Sequence, residues 1–260
     1  MRIATYNVWN NDIDIRKEQL IDEINSIDVD IIGLQEISIG FWVYLKEKVK
    51  YDNKIYFACQ DKDEGLAFLS KYKIKDTCFL NESIEYSNSL ALNIVIEFNG
   101  FKISITNVHL PWDSVLAKEK QIVTIDQYIH KEKADFSIIL GDFNCTEDSS
   151  VHHYLLGDQS LLGQESKPYW NDLANVHAYL NNYKIAPTLD FVNNPRWKGR
   201  NTNYIPDTCD RIYIMESNNW EYKFILKNVY TFGKNVSPST GYAPSDHYGL
   251  LAEVDFSKSI

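Results

Sequence analysis

Two short stretches carry side chains that could do chemistry. One is Gly141-Asp142-Phe143-Asn144, fed by the apolar run Ile138-Ile139-Leu140. The other is Pro244-Ser245-Asp246-His247-Tyr248, which leads into Gly249-Leu250-Leu251-Ala252. Each sets a carboxylate beside a second polar group at the edge of an apolar run. A carboxylate there loses hydration unless something pairs with it. A bound cation and a phosphate would supply that pairing.

Other positions have the same character. Asn7 closes a short β-rich run at the N-terminus. Glu36 closes Ile31-Ile32-Gly33-Leu34-Gln35 and reads either as a strand-end cap or as an oxygen ligand for a hard cation. Mg²⁺ takes one or two carboxylates and keeps several waters. His109 closes the run from Ile103 to Val108, where it is either functional or simply a satisfied strand-end histidine. Asp142 and Asn144 stand two apart, so a continuing strand would point both side chains the same way. One could then take a proton from water while the other orients it; the same pair also suits an Asx-turn. Asp210 precedes Arg211 and the strand-like Ile212-Tyr213-Ile214, a pattern equally suited to a surface ion pair. If Asp210 accepts from one nitrogen of His247, it fixes the tautomer and favours the protonated ring. Taken together, these residues suit phosphoester hydrolysis: a cation for the oxygens, a base for water, imidazoles for the charge on phosphorus.

The elements that must position them follow from periodicity. Residues 2–8, 29–37, 55–59, 66–70, 73–80, 90–98, 102–108 and 136–140 read as strands. Asn99-Gly100 marks a hairpin between two of them. Residues 15–27, 40–49 and 114–130 read as helices. A further helix is expected over 149–156, with Ser149 or Ser150 as its N-cap. Residues 159–208 read as loop-rich, and strands near 211–215, 222–230 and 248–255 close the chain. Many strands with helices between them predict an α/β fold of two packed sheets with helices outside. No repeat, linker or shift of composition divides the chain, so we expect one domain over 1–260.

Bulk composition narrows the function classes. The chain has 260 residues, 44% hydrophobic and 24% charged, the balance of a globular protein with a sizeable core. No apolar run approaches the ~20 residues of a membrane helix. No signal-peptide pattern opens the chain, so a cytoplasmic protein is expected, with no membrane or protein partner indicated. Cys59, Cys78, Cys145 and Cys209 lie far apart, as four reduced thiols rather than a zinc site or a disulfide framework. The formal net charge of −10 gives no overall attraction to a polyanion. Extended nucleic acid would need a local basic patch; Arg196-Trp197-Lys198-Gly199-Arg200 is one candidate, or a solvated loop. Trp170, Trp197 and Tyr204 could stack a base, a sugar or an aromatic leaving group, or pack loops onto a sheet.

Six segments in order resemble the endonuclease/exonuclease/phosphatase superfamily, the deoxyribonuclease-I-like fold. They are Thr5-Tyr6-Asn7, Leu34-Gln35-Glu36, Asn107-Val108-His109-Leu110, Gly141-Asp142-Phe143-Asn144, Asp210-Arg211-Ile212 and Ser245-Asp246-His247. The resemblance implies a four-layer α/β sandwich of two mostly antiparallel sheets and a phosphoesterase dependent on Mg²⁺ or Mn²⁺. Carried over by position, it makes Glu36 the main metal ligand with Asn7 and Asp246 near the metal. It makes Asp142, helped by Asn144, the residue that activates or orients the water. His109 and His247 would stabilise the phosphoryl group, with Asp210 orienting His247. His109-Leu110 departs from abasic-site endonucleases. Ser245 to Leu251 is similar to the ending of 5′-tyrosyl-DNA phosphodiesterases, and Thr188-Leu189-Asp190 to a further segment of that group, which adds Asp190 to the loop aromatics Trp197 and Tyr204 as candidate substrate contacts. Asn88-Ser89-Leu90 lacks the Arg that group carries. Glu64 to Ser70 resembles bacterial members, sugar-phosphate phosphatases among them. The expected substrate is a nucleic-acid-like phosphodiester or a small organic phosphate.

Overall fold

The computed structural model describes residues 1–59, 63–80, 91–200, 204–215, 217, 219 and 221–258. The Asn88-Ser89-Leu90 segment lies outside them. In chain order the elements are β1 (Arg2–Asn7), α1 (Lys17–Ser26), β2 (Ile31–Gln35), α2 (Ile39–Lys48), β3 (Asn53–Ala58), β4 (Gly65–Ser70), β5 (Asp76–Leu80), β6 (Ala91–Phe98), β7 (Phe101–His109), α3 (Val115–Lys131), β8 (Phe136–Asp142), α4 (Ser150–Leu156), β9 (Trp170–Asp172), α5 (Leu173–Asn181), β10 (Asp210–Met215), β11 (Tyr222–Phe232) and β12 (Gly249–Lys258).

The strands form two six-stranded sheets, ordered β11-β12-β1-β2-β4-β3 and β5-β6-β7-β8-β10-β9. Each sheet holds one parallel pair, β1 with β2 and β7 with β8, and its other neighbours are antiparallel. A parallel pair needs a crossover, and α1 and α3 supply the two. One apolar cluster, with Ile3, Phe68, Ile105, Ile138 and Leu250, fills the space between the sheets. A second lies under α1 and α2 on one outer face, and a third under α3 and α4 on the other. The expected four-layer α/β sandwich is therefore the fold.

The parallel pairs position the site. Asn7 ends β1, Glu36 directly follows β2, His109 ends β7 and Asp142 ends β8, so all four lie at carboxyl ends of neighbouring strands. Such ends are where open α/β sheets leave a crevice. Register fixes them further: His109 is opposite Asp142, and Asp142 is opposite Asp210 at the start of β10. Gly141 (φ 144°) allows this closeness, since a Cβ there would meet the Val108 carbonyl at 2.0 Å.

A polar tie joins the sheets just below the crevice. The Asn107 amide on β7 donates to the Leu34 and Ala67 carbonyls of the other sheet at 3.0 and 3.1 Å, and its oxygen accepts from Gln35 at 2.6 Å. Gly33 leaves room for it, because a Cβ there would lie 3.0 Å from the Asn107 side chain.

Two expectations are corrected. The loop-rich reading of 159–208 missed β9 and α5. Asp172 caps α5 by accepting from the Ala174 and Asn175 N–H groups, and only Leu173, Ala174 and Ala178 of the helix are buried. So narrow a buried stripe, with Tyr179 and Leu180 exposed, gives little helical periodicity to read. This helix is also not an outer layer; it packs on β9 and β10 of one sheet and β11 of the other. The predicted helix over 15–27 begins instead at Lys17, after a 3-10 turn at Ile13–Ile15, because Arg16 leaves helical geometry (φ −135°). Ser149 does cap α4, accepting from the His152 N–H.

Candidate active site

Asp142 sits at the floor of the crevice. Its Oδ2 accepts from the Asn7 amide at 2.9 Å, and it lies 3.8 Å from His109 Nε2 and 3.9 Å from His247 Nε2. Its Oδ1 accepts from the Asn144 backbone N–H at 2.8 Å. Glu36 stands at the mouth, its Oε1 2.9 Å from the Asn7 amide and 3.8 Å from His109 Nε2, and its Oε2 accepts from the Asn10 N–H. The side chains of Glu36 and His109 are 20% and 15% exposed, against 1% for Asp142, so the crevice meets solvent on the Glu36–His109 side. Asp210 lies behind His247 and accepts from its Nδ1–H at 2.9 Å.

The electrostatics follow from this packing. Burial, aided by the Asp210 charge, pushes the Asp142 carboxyl above its ordinary range despite both imidazoles and the Asn7 amide. Burial also pushes Glu36 up, but His109, the Asn7 amide and His247 outweigh it and hold it below the usual range. Burial raises Asp246 to about 6, with Glu36 and Asp142 adding to the effect against His247. Burial lowers the His247 ring, but Asp210 and Asp142 overcome it and carry the ring well above its ordinary value. A base near an acid that is reluctant to ionise is a pattern found at catalytic sites.

Four acids meeting two imidazoles leave an excess of negative charge that a hard cation would offset. Two structural details fit one: Asp210 Oδ1 is buried with no hydrogen-bond partner among the described residues, and burial beside Glu36 and Asp142 raises Asp246 despite His247 and Arg16. The tightest grouping of metal-type ligand atoms is Asp142, Asp210 and His247, within 4.8 Å of one another. It is not the set the resemblance implies, which centres on Glu36, Asn7 and Asp246. His247 already donates to Asp210 through Nδ1, and hard divalent ions favour all-oxygen surroundings, so the Glu36 side is chemically the better seat for Mg²⁺ or Mn²⁺.

The loop residues adopt geometry the sequence conceals. Trp9, Glu36 and Asn144, each one or two residues past a strand, have left-handed φ values of 56°, 58° and 49°. For residues with side chains this costs about 1–3 kcal/mol each and tends to mark functional sites. The Trp9 N–H donates to Asn7 Oδ1 at 2.9 Å, which leaves the donor side of the Asn7 amide facing the acids. In this network Asn7 steadies Glu36 and Asp142; ligation through its oxygen would need the amide turned over. Strand alternation does not carry to Asn144, because β8 stops at Asp142. The Asn144 amide turns to donate to the Leu110 carbonyl, and the pair does form the Asx-turn.

The expected substrate contacts divide. Asp190 accepts from the Val192 and Asn193 N–H groups and from the Asn193 amide, all within its own loop. Its neighbour Thr188 braces the site, its hydroxyl accepting from the Cys209 and Asp210 N–H groups and its carbonyl from the Tyr248 N–H. The Trp197 indole donates to the Asp246 carbonyl at 3.2 Å. Phe191 lies between Trp197 and Tyr204, with ring centroids 4.8 and 5.2 Å away, and Arg200 lies over Trp197. Tyr204 is exposed, whereas Trp170 is buried and donates to Asp126 in the third core, so it stacks nothing external. Sequence reading missed Trp112, 75% exposed just beyond His109, and the buried Lys118, which donates to the Asn144 carbonyl. A tryptophan so near a strand-end histidine was the available signal.

The profile described as the Endonuclease/Exonuclease/phosphatase family matches residues 4–247. The chain belongs to that family. Its name joins nucleases and phosphatases, both hydrolases of phosphoesters. Among curated proteins, the CCR4-Not complex 3′-5′-exoribonuclease subunit Ccr4 of Yarrowia lipolytica is 24% identical, over 94% of this chain and 44% of its own length. A Vairimorpha ceranae protein described as the "probable" corresponding subunit is 24% identical, over 99% of this chain and 61% of its own length. The chain thus spans less than two thirds of either relative. Among solved structures, D. rerio TDP2 complexed with a single-strand DNA product superposes with a TM-score of 0.79 at 17% identity, covering 98% of both chains. A mannosyl-6-phosphatase of Bacteroides thetaiotaomicron gives 0.72 at 17% identity, covering 98% of this chain and 100% of its own. At such identities these two establish the fold. No helix among the described residues is long and apolar enough to cross a membrane.

Proposed function

We propose that the chain is a divalent-metal-dependent phosphoesterase that hydrolyses a phosphodiester on a short or end-positioned nucleic-acid-like substrate, acting in the cytoplasm as one domain over 1–260. The observation that carries this reading is the environment of Asp142 Oδ2, where one amide and two imidazole nitrogens gather within 3.9 Å. A raised, buried carboxyl with such neighbours is suited to take a proton from an attacking water. His109 and His247 would donate to the phosphoryl oxygens through Nε2, and Asp210 would hold His247 protonated and aimed. Asn144 steadies Asp142 through its backbone N–H. Glu36 and Asp246, with Asn7 between Glu36 and Asp142, would hold Mg²⁺ or Mn²⁺. The ion would neutralise charge on the phosphoryl oxygens as attack proceeds in line.

Aromatic groups support a nucleic-acid-like substrate. Trp112 follows His109 by three residues and is exposed, Trp197 donates to the Asp246 carbonyl, and Tyr204 lies against Phe191, which also packs on Trp197. Stacking on such rings recognises bases without a large basic surface, which suits a net charge of −10. That same charge favours a second reading, a phosphatase for a small organic phosphate. A non-catalytic binding protein on this scaffold ranks last, because every expected catalytic residue type is present.

The test is hydrolysis by purified protein with Mg²⁺ or Mn²⁺, with Asp142→Ala as the control. Cleavage of bis-p-nitrophenyl phosphate but not p-nitrophenyl phosphate supports the diesterase, and the reverse pattern supports the phosphatase. No hydrolysis across a broad ester panel would leave the binding protein.

A further inference from the structure

Arg16 is a buried charge that the site described above does not use. It is 1% exposed, at the junction between a 3-10 turn and α1, where a basic residue has no periodic reason to point inward. Its guanidinium is shared between two loops. Nη1 donates to the Val8 and Pro244 carbonyls, each at 2.6 Å, and Nε and Nη2 donate to the Asn11 carbonyl at 3.0 and 2.7 Å. Val8 directly follows Asn7, and Pro244 comes two residues before Asp246. The same guanidinium lies 5.1 Å from the Trp9 ring, whose backbone N–H orients the Asn7 amide. Burial beside Arg196 lowers Arg16 only to about 10, so it stays charged at neutral pH. A second tie runs alongside, since the Ser245 hydroxyl donates to the Asn7 carbonyl at 2.8 Å; it also lies 3.4 Å from Asp246 Oδ1 and accepts from the His247 N–H.

We infer that Arg16 is a positioning residue that sets the distance between the Asn7–Glu36 side and the Asp246 side of the metal site, and so sets affinity for the divalent cation. This rests on the metal-dependent reading above. It follows from geometry: the two loops come from opposite ends of the chain, and no strand hydrogen bond joins residue 8 to residue 244. A planar fork with five donors can hold carbonyls on both sides at once, whereas an ammonium is a point charge on a flexible stem. Loss of the fork lets the loops separate, and a hard ion that demands fixed ligand spacing feels the change first.

The test is calorimetric titration of the whole chain with Mn²⁺, comparing wild type with Arg16→Lys and Ser245→Ala. Outer residues that orient ligands typically change metal affinity by about 10–100-fold, so Arg16→Lys should weaken binding by at least roughly tenfold. Turnover at saturating metal should fall by a smaller factor than metal affinity does, because Arg16 touches no reacting group and reaches Asp142 only through Trp9 and Asn7. Ser245→Ala should weaken Mn²⁺ binding in the same sense, and the double variant should depart from additivity if the two ties govern one spacing. A lowered melting temperature with Mn²⁺ affinity within about twofold of wild type in Arg16→Lys would reduce the residue to a structural clamp and overturn the inference alone. Should Arg16→Lys not fold, Arg16→Gln takes its place, and Mn²⁺ affinity within about twofold of wild type there overturns the inference equally. Wild-type protein that binds no divalent cation overturns both this inference and the metal-dependent reading.

Discussion

His247 donates to Asp210 at 2.9 Å, and Asp210 stands opposite Asp142 across the β8–β10 ladder, so three groups from distant parts of the chain form one buried relay. The ring is held between two acids, by Nδ1 on one side and Nε2 on the other. Asp210 and Asp142 keep it protonated against the pull of burial. Replacing Asp210 by Asn removes one source of that support. Asp210→Asn should lower kcat by roughly 10²–10⁴-fold and move the limb on which His247 loses its proton to lower pH. The sign is fixed because a raised pKa falls when the charge raising it is removed. A pH–rate profile decides the matter; an unmoved limb would separate Asp210 from the titration of His247.

Asp142→Ala and His247→Ala should each cost several orders of magnitude in kcat while circular dichroism stays native. Water attack and phosphoryl stabilisation both pass through these side chains, and such groups typically contribute about 10²–10⁴-fold. Near-normal turnover in either variant would remove that residue from the mechanism.

Glu36→Gln keeps the shape of the side chain and removes its charge. The Mg²⁺ concentration for half-maximal activity should rise by about tenfold or more. An identical Mg²⁺ titration would argue against ligation by Glu36.

Metal binding should release protons near pH 6. Burial raises Asp246 to about 6, so without a cation it is partly protonated there, and a cation requires the carboxylate. Affinity should therefore climb as pH rises through about 6 and level off above it. Titration calorimetry at pH 6 in two buffers of different ionisation enthalpy reads the released proton directly. Asp246→Asn should abolish the difference between buffers.

The inter-sheet tie should be costly to cut. Asn107→Ala leaves the Leu34 and Ala67 carbonyls and the Gln35 amide short of a partner inside the core. Leaving a buried polar group unsatisfied costs about 1–3 kcal/mol; Gln35 keeps its bond to Thr5, so the two carbonyls set an expected loss of about 2–6 kcal/mol in urea unfolding. A loss below about 1 kcal/mol would mean that water replaces the amide.

The amino-acid sequence by itself determined the alternation of strands and helices, the apolar runs that feed the site and the residue types at their ends. These are local properties: a period of two or 3.6 residues is written into neighbouring positions, and an acid after an apolar run is visible wherever the chain goes. Tertiary structure decided which of those ends meet. Asp142 faces His109, Asp210 and His247 only because β7, β8 and β10 pair in a particular register, and Asn7 reaches Glu36 only because β1 lies parallel to β2. Left-handed turns at Trp9, Glu36 and Asn144 aim side chains against the strand alternation that preceded them. Helix α5 was hidden because little of it is buried, and Arg16 because its partners are backbone carbonyls, which every sequence has and no sequence displays.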